Sequence, residues 1–131
     1  MRGITIRDAD ERDILTVGLK DILEIVGERA FRSRWVLSGV DATGDQAAEE
    51  LHRLCDGHIP VDGQRLAKLV GSVWEVINGR FEAYDEVEDS PWLVICAVDS
   101  TAYDVVTQDE TALERVRSSY SEVTDLPESA L

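Results

Sequence analysis

The chain has 131 residues, 44% of them apolar and 31% charged, and Asp and Glu outnumber Lys and Arg by 27 to 13, giving a net charge of -14. A chain this long reads as one domain, burying roughly two-thirds of its unfolded surface without a metal or disulfide staple. The charge argues against nucleic-acid phosphates and anionic membrane surfaces as partners, no apolar run approaches the ~20 residues of a membrane span, and the opening MRGITIRDADERD has no apolar leader, so a cytoplasmic location is expected.

After a short opening segment, residues 3–7, Asp10 is suited to cap a helix whose apolar stripe runs through Ile14, Leu15, Leu19, Ile22, Leu23 and Val26. Residues 34–41, RWVLSGVD, read as a strand, with Gly39 marking a bulge. A helix capped at Thr43 or Asp45 then places Ala47, Ala48, Leu51, Leu54 and Cys55 on one face and stops at Gly57. Asp62 caps the next helix, whose apolar side is Leu66, Leu69, Val70 and Val73.

Asn78-Gly79 between alternating runs predicts a type I′ hairpin, since both residues tolerate positive φ. That register sets Val76 against Phe81 and Glu75 against Glu82, and turns Trp74 inward beside Phe81. An acidic loop follows at residues 85–90, then a nearly continuous apolar strand, residues 92–98, expected at the sheet centre. A turn near Asp99 to Ala102 pairs Val98 with Tyr103 and Cys96 with Val105. Residues 107–110, TQDE, open a last helix with Leu113, Val116 and Tyr120 on one face, and a loose tail is expected from about residue 123. The architecture is thus an α+β domain spanning residues 1–131: an antiparallel sheet of about five strands, a meander in the second half, packed against about four helices.

Few residues suggest chemistry. His52, Cys55 and His58, with Asp56 nearby, fall short of the four ligands of a structural zinc site and read as a buried cysteine with two surface histidines, so no metal or cofactor is expected. Cys55 and Cys96 read as reduced small hydrophobes. Ser100 and Thr101 lack a nucleophile-elbow context, and no phosphate-cradling glycine motif occurs, so no catalytic residue is assigned. Trp35, Trp74 and Trp92 lie in or beside predicted strands, as core residues do.

The acidity itself is the functional signal. From residue 82 to residue 125 twelve carboxylates face two arginines, Arg115 and Arg117, so this segment carries -10 of the total. Glu82, Asp85, Glu86, Glu88 and Asp89 concentrate charge where a basic protein partner would dock, as in an immunity-type neutraliser or a nucleic-acid mimic without enzymatic activity. Another reading is a small-molecule-binding or catalytic pocket between the sheet and the first helix, drawing on Glu75, Arg80, Glu82 and Tyr84, where opposed carboxylates could support acid–base work. A third is a homodimer formed through an exposed sheet face or edge strand.

Overall fold

The computed structural model describes residues 1–86 and 88–131; Val87, inside the predicted acidic loop, lies outside the described residues. Among these the chain forms seven strands and five α-helices, more than the five and four expected: β1 (Arg2–Ile6), α1 (Leu19–Val26), α2 (Glu28–Arg32), β2 (Arg34–Thr43), α3 (Gln46–Asp56), β3 (Val61–Asp62), α4 (Gly63–Ser72), β4 (Glu75–Tyr84), β5 (Leu93–Val98), β6 (Ala102–Thr107), α5 (Glu110–Ser119) and β7 (Val123–Asp125). The sheet is antiparallel throughout, in the order β3-β2-β4-β5-β6-β1-β7, which puts the apolar β5 at its centre. The fold is α+β.

The alternation of side chains along each strand sorts the sheet into two unlike faces. On one, Leu37, Phe81, Ile95, Val105 and Ile4 sit side by side across five strands, every one fully buried. All the major helices supply the other half of this core: Leu19, Ile22 and Leu23 from α1, Leu51 and Leu54 from α3, Leu66 and Val70 from α4, Leu113 and Val116 from α5. Where the start of α1 meets β4 and β6 a groove remains, bordered by Gly18, Leu19, Glu75, Val76 and Tyr103, and of the four polar groups foreseen for a sheet–helix pocket only Glu75 lines it. The opposite face carries Ser38, Arg80, Cys96, Asp104 and Thr5 in one cross-strand row and, among the described residues, has no α-helix over it. What covers part of it is the C-terminal segment, expected to be loose. β7 pairs with β1, the amide of Leu126 donates to the Gly3 carbonyl, and Leu126 and Leu131 close over Gly3 so tightly that a Cβ there would lie 2.9 Å from Leu126. Val94 is buried on this side, apart from the main core.

Four local expectations are corrected. Asp10 does not start a helix: its Oδ1 accepts from the amides of Arg12 and Ile14, closing a tight turn, and α1 begins only at Leu19. Asn78-Gly79 does not turn at all but lies inside the ten-residue β4, with Asn78 opposite Asp41 and Gly79 opposite Ala97. The glycine is needed there for space, because a Cβ would sit 2.8 Å from the Phe81 ring and 3.2 Å from Val40. The left-handed pair that makes a hairpin is Asp99-Ser100, with φ of 50° and 59°, and Asn78 serves that turn through its Oδ1, which accepts from the Asp99 amide. Consequently β5 and β6 pair one residue away from the expected register, Val98 with Ala102 and Cys96 with Asp104. Helix α5 likewise starts from Asp109, which accepts from the Ala112 amide, and not from Thr107.

Candidate functional site

The five carboxylates expected to meet a basic partner do not form one cluster. Glu82 lies on the sheet face opposite the α-helices, across from Val36 and Val94, with the Arg80 guanidinium 3.6 Å away. Asp85 is occupied: Arg29 reaches it at 2.7 Å, holds Asp109 at 3.1 Å through its other nitrogen, and stacks 3.9 Å above the Trp92 ring. Trp92 is fixed in turn by donating from its indole to Ser33 Oγ, whose hydroxyl donates to the Arg29 carbonyl. Glu86, Glu88 and Asp89 project into solvent, and none takes part in an ion pair among the described residues.

The Arg29 junction predicts an acid-sensitive contribution. The amide of Ala112 first, and then Arg29, hold Asp109 below the ordinary carboxylate range. A depressed folded-state value stabilises above the unfolded value of about 3.9 and loses that stabilisation as pH falls through the folded value. Asp109→Asn keeps the helix cap but drops the charge, so wild type should exceed it in stability at pH 6, with the gap closing below about pH 4. Urea midpoints at pH 6 and pH 3 test this; an equal gap at both values would contradict it.

The second residue set is also divided. Arg80, Glu82 and Tyr84 share the open face, where Arg34 lies 4.9 Å over the Tyr84 ring and burial, followed by Glu82, raises the Tyr84 phenol. Glu75 stands at the far end of β4, opposite Thr43, so the foreseen Glu75–Glu82 pair does not exist and the four groups share no pocket. A cavity of about 310 Å³ does open between the C-terminal segment and this face, bordered by Arg80, Cys96 and Asp104 over Val94, Val106 and Leu126. Asp104 accepts from Thr5 Oγ1 at 2.6 Å, and burial pushes the Cys96 thiol up, away from the reactive thiolate.

His52 and Cys55 have an architectural use. β2 meets β3 only at Arg34 and Trp35, which leaves the outer edge of its second half open. Helix α3 closes it: His52 Nε2 accepts from the Ala42 amide at 3.2 Å and Cys55 Sγ from the Val40 amide at 3.4 Å. The spacing that resembles ligand geometry is thus the spacing needed to seal a strand edge. His58 lies beyond the helix end with φ of 50°, and among the described residues no group of three or more His, Cys, Asp or Glu is placed to hold a metal ion. Since β3 has two residues and β7 three, neither outer strand offers a long edge to a second copy.

A different surface emerges where the sequence pointed inward. Trp74 is 76% exposed and Ile14 52% exposed, and they border one groove of about 330 Å³ floored by Val17, Val70 and Tyr103. Trp74 is turned out because α4 ends at Ser72 and the Trp74 amide donates to the Thr43 carbonyl before β4 begins. Ile14 is turned out by the Asp10 turn. Glu75 lines the groove, and the Asp21 carboxylate lies close to Gly18, one of its lining residues, 3.2 Å from where a Cβ would stand. At the floor, burial pushes the Tyr103 phenol up to about 12, and Glu75 and Asp21 add to that shift.

Comparison with protein-family models, with curated proteins and with solved structures finds no match to this chain.

Proposed function

We propose that this chain is a non-enzymatic binding protein for a basic protein partner, in the manner of a neutraliser. The observation that carries the reading is the exposure of carboxylates without countercharge: Glu86, Glu88 and Asp89 on the β4–β5 connection, and Glu75 and Asp21 near the Trp74 groove, enter no ion pair among the described residues. A chain at -14 that leaves these groups open steers cationic surfaces toward itself and repels its own copies. The split of Glu75 from Arg80, Glu82 and Tyr84 weighs against the catalytic alternative, and the short outer strands weigh against edge-to-edge dimerisation.

The test is capture of a partner from the source cell at about 0.15 M salt, followed by titration of the purified pair at rising ionic strength. A partner with net positive charge is expected, with affinity falling as screening shortens from about 8 Å to about 3 Å near 1 M salt. Neutralising Glu86, Glu88 and Asp89 together should slow association more than it speeds dissociation. A neutral or acidic partner, or an affinity indifferent to salt, would overturn the proposal.

A further inference from the structure

We infer that the groove between Trp74 and Ile14 is the anchoring site for a partner segment that pairs an arginine or lysine with an aliphatic side chain; this rests on the proposed binding of a basic protein and locates it away from the acidic loop. Trp74 presents its ring to solvent at 76% exposure, on a chain whose other two tryptophans are buried. Exposed tryptophan is the side chain most often found at the energetic centre of a protein interface, and its ring face is the strongest aromatic acceptor for a cation. Ile14, 52% exposed, extends the apolar surface on the opposite rim, and the half-buried Leu15 and Val73 line the space between.

Charge selects the occupant. Among the described residues the groove is lined by no lysine or arginine, while Glu75 lines it and Asp21 lies close by, its carboxylate beside the lining Gly18 and near enough to Tyr103 to raise its phenol. Lys20, the basic residue next to Asp21 in sequence, lies instead along Gly71, with its ammonium 3.9 Å from Glu24. A cation entering beside Trp74 would find the Glu75 carboxylate and a ring face, with the field of Asp21 added from beside Gly18, and its aliphatic neighbour would cover Ile14. An acidic segment would meet repulsion from the same groups, and so would a second copy of this chain at -14.

The tryptophan indole gives a direct readout. Two short capped peptides serve as probes, one alternating Arg and Leu and the other alternating Glu and Leu, each titrated into the uniformly ¹⁵N-labelled full chain. The Arg-Leu peptide should shift the Trp74 indole resonance and the amides of residues 14–18 and 74–76 saturably, and the Glu-Leu peptide should not. Trp74→Ala should weaken the Arg-Leu peptide about tenfold or more, and Asp21→Asn with Glu75→Gln by about five- to tenfold. These positions are exposed, so the variants should keep the wild-type spectrum elsewhere. Shifts confined to residues 86–90, with Trp74→Ala unchanged in affinity, would overturn the groove while leaving a basic partner in place. Equal binding of both peptides in the groove would overturn charge selection, and with it the partner class.

Discussion

Trp35→Ala is expected to remove about 3–5 kcal/mol of folding stability, a large share of the 5–15 kcal/mol typical of a domain. Trp35 is the largest of the fully buried side chains, and its indole donates to the Ala30 carbonyl at 2.9 Å, so truncation leaves both a cavity and an acceptor stripped of its stronger partner. The Ser33 amide also reaches that carbonyl, at 3.3 Å, so Trp35→Phe, which keeps much of the ring and loses only the donor, should cost less, about 1–2 kcal/mol. Urea denaturation of the two variants separates packing from hydrogen bonding. Equal losses would mean that the hydrogen bond dominates, contrary to the burial argument.

Gly63→Ala should be nearly as damaging, by about 3 kcal/mol, although alanine is the better helix former by about 1 kcal/mol. Gly63 opens α4 directly against α2, and a Cβ there would stand 2.1 Å from the Ala30 carbonyl oxygen and 2.7 Å from the Phe31 Cα. Both obstacles are backbone, so relief requires the helices to separate. Gly71, near the other end of the same helix, provides the opposite sign: its Cβ would meet only the flexible Lys20 side chain, at 2.9 Å, and Gly71→Ala should stabilise by about 0.5–1 kcal/mol. Thermal unfolding of the pair should move in opposite directions. A parallel shift would show that helix propensity, and not the α2–α4 contact, governs both positions.

Where a single local rule has no competitor, sequence and structure agree. Asp62 caps α4 through its side chain, Gly39 lies at a register shift in β2, and the apolar residues of β5 fill the sheet centre. The failures arise where two rules compete for one residue. Asn-Gly usually forms a hairpin, but here the ring of Phe81 needs the room that Gly79 leaves, and Asp99-Ser100 accept left-handed backbone without glycine. Asp10 can cap a helix or close an Asx-type turn, and the two amides it receives decide for the turn. Both misreadings fall at the rim of one groove: the first turned Trp74 inward and the second placed Ile14 on a helix. The surface proposed for the partner was therefore hidden by the expectations most strongly supported by local pattern. The acidic loop was legible as charge, but that Arg29 would draw Asp85 and Asp109 together, from positions far apart in the chain, was not.

The place of β1 in the sheet has a consequence for how the protein is made. Its neighbours are β6 and β7, so as synthesis proceeds β1 gains its first hydrogen-bonding partner in this sheet only when residues 102–107 follow, and its second only with residues 123–125. Ile4 and Ile6, both destined for the core, stay without their native strand partners until β6 has been made. Such long-range closure slows folding, and a nascent chain halted before Ala102 would hold a solvent-exposed apolar strand, a natural target for chaperones and proteases.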